Sequence, residues 1–173
     1  MLTRGALALT FLLAIGQAAP GFAQSDSLRP APAAEVLTGW AGFVDETLIE
    51  HVAFGGITRF YVTPRISLGP EVAYLRGPDG DRDVMITGNL TFDLLRPRLG
   101  RPRRVTPFLV AGGGFAQNSL LIGTISYTSN EGAFTGGGGV RVWFNDSIYG
   151  VVETRIGWEP HVRVMGGVGV ALR

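Results

Sequence analysis

The chain contains no cysteine, so neither a disulfide framework nor a thiolate metal centre is possible. It contains no lysine either; all 15 basic residues are arginine. Acidic and basic residues nearly cancel, leaving a formal charge of +1, which gives no overall pull towards nucleic acid. Histidine is scarce, with only His51 and His161. After the N-terminal stretch no segment reaches 18 apolar residues, which excludes an anchoring transmembrane helix. Glycine, by contrast, is plentiful at 26 residues, many of them inside apolar, β-branched runs. That placement opposes helix and suits a strongly curved sheet.

The first 23 residues have the layout of a secretory signal peptide. Arg4 supplies the positive start, and residues 6–19 are apolar with Thr10 and Gln17 as polar interruptions. Gly21-Phe22-Ala23 offers small residues at positions −3 and −1 for cleavage before Gln24. Residues 24–38 carry Pro30, Pro32, serines and alanines and read as a flexible linker. Residues 39–173 are long enough for one domain.

From residue 39 hydrophobicity alternates with period two, broken at fairly even spacing by turn residues. Eight runs follow: 39–46, 51–62, 65–76, 83–95, 105–118, 132–144, 148–158 and 161–172. Most are 11 to 14 residues long, whereas strands of soluble proteins cluster near ~5–6 and membrane-crossing strands need ~9–11. One face of each run is bulky and apolar, as in Val84, Ile86, Leu90, Phe92 and Leu94. The other is small or polar, as in Asp83, Thr87, Asn89, Thr91 and Asp93. Arg59, Glu71, Arg141, Glu153 and Arg155 fall mid-strand on the second face. An eight-stranded interior is only just wide enough to be filled by side chains. The small, glycine-rich face therefore fits inside, its five charges pairing as a lumen network because a buried charge must be partnered. The expected fold is all-β, an eight-stranded antiparallel up-and-down transmembrane β-barrel. A lipocalin-like soluble barrel, with the faces inverted, is the alternative.

Connection lengths agree with termini in the periplasm. Thr63-Pro64 and Asn145-Asp146-Ser147 are tight periplasmic turns, while 77–82 and the long 119–131 connection are extracellular. Residues 96–104 (RPRLGRPRR) form a longer periplasmic turn with five arginines, read as a solvated linker. Trp40, Phe60, Tyr61, Phe92, Phe144 and Trp158 lie near strand ends, where interfacial aromatic girdles form.

Three stretches then carry a family likeness. Residues 104–115 (RVTPFLVAGGGF), 136–144 (GGGGVRVWF) and 167–172 (GVGVAL) resemble strands of the OmpA-like outer-membrane β-barrel domain family. The resemblance spans residues 39–173 and implies a cell outer-membrane location in a Gram-negative bacterium. It implies that Gly167, Val170 and Leu172 serve as the C-terminal assembly signal read by the barrel-assembly machinery. The family usually closes on an aromatic residue, whereas this chain has Leu172 and Arg173. The family covers adhesion, serum-resistance and structural roles, so the resemblance fixes no activity.

Catalytic chemistry finds little support. His51 and His161, with Glu50 and Glu159 beside them, fall on the expected extracellular rim and form the one grouping that could hold a metal or act as acid and base. A lipid A-type hydrolase or acyltransferase needs Ser/His/acid chemistry. His161 is followed by Val162 and Arg163 rather than a serine two residues on, and Ser119, Ser126 and Ser129 lack a nucleophile-elbow context. Asp79-Gly-Asp-Arg-Asp83 resembles a calcium-loop fragment, but its twelfth position is Leu90 and not Glu. The glycine runs at 112–114 and 136–139 precede no helix and are not phosphate loops. The sequence therefore predicts a non-enzymatic structural or surface-interaction barrel with a plugged lumen and no open pore. No metal or other cofactor is expected. The partners are outer-membrane lipids and the assembly machinery, and the chain is expected to be a monomer.

Overall fold

In the computed structural model the described residues are 29–44, 48–98, 101–122, 125–157 and 161–172. The expected signal peptide, residues 1–23, lies outside them. They form eight strands: β1 (Ala33–Val44), β2 (Leu48–Tyr61), β3 (Ile66–Arg76), β4 (Arg82–Asp93), β5 (Val105–Ile122), β6 (Ile125–Trp143), β7 (Ile148–Gly157) and β8 (His161–Ala171). Each pairs antiparallel with the next, and β1 closes on β8. Closure leaves no free wall edge, as a sheet surrounded by hydrocarbon requires.

The alternation dictates the two surfaces. Val72, Ile86, Leu90, Leu109, Val152 and Val168 face outward, whereas Arg59, Glu71, Arg141, Glu153 and Arg155 are buried. A soluble barrel would bury the first set and hydrate the second. The inverted arrangement is stable where the surroundings are lipid, and the wall is that of a transmembrane barrel. Lumen-facing glycines let neighbouring strands approach closely. A Cβ on Gly137 would sit 2.0 Å from the Thr154 carbonyl oxygen.

β1 starts and β8 finishes at the same end of the barrel, where Ala33 pairs with Ala171. There the turns carry their own capping acceptors. Thr63 Oγ1 accepts from the Ile66 amide at 2.9 Å, and Asn145 Oδ1 accepts from the Ser147 and Ile148 amides at 2.8 Å. The arginine-rich turn folds back on itself: Arg98 and Arg101 exchange backbone hydrogen bonds of 2.9 and 3.0 Å. All five of its arginines are exposed. At the far end, Pro78–Gly80 forms a short 3-10 turn, and Gly80 takes the left-handed φ of 84° that suits glycine.

Four boundaries differ from the alternation pattern by three residues or more. β1 begins at Ala33, six residues inside the stretch expected as linker. Ala33, Glu35 and Leu37 face the lumen there, so the period-two order starts as soon as Pro32 is passed. β2 begins at Leu48 and not at residue 51. The expected 119–131 loop is instead a continuation of β5 and β6, paired from Ser119↔Thr128 to Ile122↔Ile125. Mutual pairing satisfies backbone groups that a loop would leave to water. The wall stops short of this hairpin, because β4 ends against Ser119 and β7 ends against Thr135. The hairpin therefore rises past the rim.

Candidate functional site

The lumen is built from two polar layers. In the central layer Glu35 receives Arg59 in a fork, Nε to Oε1 at 2.8 Å and Nη2 to Oε2 at 2.9 Å. Tyr149 Oη also donates to Glu35 Oε1 at 2.8 Å, and Arg59 reaches Thr91. Glu71 accepts from Arg155 Nη1 at 2.6 Å, from Asn89 Nδ2 at 2.7 Å and from Arg163. Glu153 lies 2.8 Å from Arg155 Nε and 3.9 Å from Arg59 Nη2. Towards the terminal end Arg141 donates to Asp93 at 2.9 Å and to Tyr61 Oη at 3.0 Å, its guanidinium 4.3 Å from the Phe108 ring centre.

The five lumen charges read from the sequence thus lie in one connected cluster. It also contains Glu35, Asp93 and Arg163, which that reading did not single out. Four guanidiniums face four carboxylates, so formal charge cancels within this cluster. Asp93 and Arg163 carried a signal in their parity on the small face. Glu35 was hidden by its position three residues after Pro32.

The second layer lies at the far mouth. On β2, β3 and β4 the chain order places Ala53, Ala73, Leu75 and Met85 between it and the central cluster. His51 Nε2 lies 2.9 Å from Asp81 Oδ2 and 3.6 Å from Asp83 Oδ2. The three donor atoms fall within 4.8 Å of one another. Of the expected grouping of His51, His161, Glu50 and Glu159, His51 and Glu50 are not brought together among the described residues. Phe43 stands between the histidines, its ring 4.9 Å from His51 and 5.0 Å from His161. Glu50 is exposed, because neighbours along a strand point to opposite faces. Glu159 lies outside the described residues. The acids beside His51 come from a turn and a strand about 30 residues further on.

Of the aromatics expected as girdles, Phe60, Phe92 and Phe144 face outward near the terminal end. Tyr61 turns inward instead, since it shares the parity of Arg59, and its hydroxyl donates to Asp93 at 3.1 Å. Trp158 lies outside the described residues. Val170 on β8 and Leu172 just after it face outward. Gly167 faces in, where a Cβ would lie 1.9 Å from the Val36 carbonyl oxygen.

No protein-family model and no curated protein matches the sequence. Solved structures do match. The N-terminal β-barrel domain of Pseudomonas aeruginosa OprF is similar with a TM-score of 0.67 and 11% identity, over 84% of this chain and 99% of that one. Neisserial surface protein A is similar with a TM-score of 0.67 and 10% identity, over 82% and 96%. A de novo designed transmembrane β-barrel follows with a TM-score of 0.54 and 15% identity, over 86% and 100%. At these identities the likeness is one of fold, and the fold is the eight-stranded transmembrane barrel.

Proposed function

We propose that this protein is a non-enzymatic structural and surface-interaction barrel of the bacterial outer membrane. Its lumen is plugged, and its β5–β6 hairpin stands above the outer face. The observation that carries the reading is the interior ion network. Side chains from β1, β2, β3, β4, β6, β7 and β8 meet across the lumen in hydrogen-bonded pairs. Eight strands leave little room beyond such a filling. Similar outer-membrane barrels with the same strand count support the location, as does the outward apolar belt. The chain is exported by its first 23 residues, inserted by the assembly machinery through Gly167, Val170 and Leu172, and held by lipids as a monomer.

The paired layout argues against a lipid-modifying centre on the rim, which would need His51, His161 and Glu50 together. Planar-bilayer recording tests the plug. The refolded barrel is expected to give no stepwise ion current. Discrete conductance steps from the wild-type protein would remove the plugged reading and leave a small pore in its place.

A further inference from the structure

We infer that the far mouth of the barrel is a binding site for a divalent transition-metal ion, held by His51 Nε2, Asp81 and Asp83. The donors come from three places: β2, the turn after β3, and the first residues of β4. Each is fixed by strand pairing or by the 3-10 turn, so the site is built on rigid backbone. Two donor–donor edges are 2.9 and 3.6 Å, and the third is no longer than 4.8 Å. A tetrahedral zinc with ligands at ~2.0–2.1 Å needs edges of about 3.3 Å, so only small side-chain adjustments separate this arrangement from coordination.

Charge makes the case independently. The four acids of the ion network, Glu35, Glu71, Asp93 and Glu153, each face a guanidinium. Among the described residues Asp81 and Asp83 face only an imidazole. Asp83 is 7% exposed and aimed at His51, and its carboxylate makes no hydrogen bond to any described residue. Two adjacent carboxylates thus share one imidazole and no guanidinium among the described residues. A dication supplies the missing charge.

The turn packs closely on the donors. Residue 77 is glycine, and a Cβ there would lie 2.5 Å from His51 Nε2 and 3.1 Å from Asp81 Oδ2. The lack of a side chain at this position is what lets the turn backbone approach both donors. A cavity of about 10 Å³, room for roughly one water, is lined by Asp83 together with Phe43 and His161, while neither His51 nor Asp81 lines it. One imidazole nitrogen with two carboxylates suits zinc, whereas calcium takes 6–8 oxygens and no nitrogen. Bound there, the ion would tie the Gly77–Asp81 turn to the β2 wall.

The test is calorimetric titration of the mature barrel, refolded in detergent micelles, with Zn2+ alone. One ion per barrel is expected, and His51→Ala and Asp83→Asn should each weaken binding at least tenfold. His161→Ala, beyond Phe43, should leave it unchanged. No saturable binding by the wild type overturns the site. So does wild-type affinity in both the His51 and Asp83 variants, or an equal loss with His161→Ala. Co2+ added to the wild type gives a readout that needs no variant. A d–d absorption displaced by Zn2+ is expected, and a spectrum no different from the aqueous ion refutes the inference.

Discussion

Glu71 holds two arginines at once, Arg155 at 2.6 Å and Arg163 beside it, with Asn89 as a third donor. Glu71→Ala would leave both guanidiniums buried and short of a counter-charge, which costs about 3–5 kcal/mol. Urea unfolding of the refolded variant should show that loss as a lowered midpoint. The exposed Arg101–Asp146 pair, 3.9 Å apart, is the contrast. Screened by solvent, it is worth under about 1 kcal/mol, so Arg101→Ala should barely move the same midpoint. Arg59, Glu71, Arg141, Glu153 and Arg155 were legible in the sequence because a charge at strand centre has only the lumen to go to. The pairing of His51 with Asp81 was not. It depends on how the β3–β4 turn leans over β2, and no periodicity encodes that contact.

Strand identity was legible at the scale of elements because the side-chain period of a strand is two, and a one-residue slip would put Arg59 into lipid. Strand ends were less so. Pro30 and Pro32 masked the start of β1, while Ser126, Ser129 and Asn130 looked like loop residues although they lie in β6. Their backbones find partners in β5, and that pairing overrides composition. The extension pairs only with itself beyond Ser119 and Thr135, so it adds nothing to wall closure. Replacing residues 120–127 with a two-residue turn should therefore leave barrel stability unchanged, as read by the temperature at which the compact form is lost. Gly137→Val tests the wall itself. Its side chain would meet the β7 backbone at 2.0 Å, so the variant should fail to reach the folded band after refolding.

For the whole molecule, the side facing lipid decides stability. Val152 sits at the middle of β7 and points outward. An arginine there would cost about 2–4 kcal/mol at the membrane midplane, a loss that denaturant titration in lipid vesicles should recover. Wild-type protein should run faster on a gel unboiled than boiled, because the closed wall keeps the chain compact in detergent. The same alternation bears on the journey before folding. Apolar side chains occupy every second position, and an arginine at the centre of a membrane-spanning helix costs about 2.5–3.5 kcal/mol during insertion. If the chain is exported as proposed, the part after its first 23 residues therefore offers no stretch that the inner membrane would retain. On the export route proposed above, the buried arginines and glutamates that fill the finished lumen are the same residues that would keep the unfolded polypeptide moving through the first bilayer it meets.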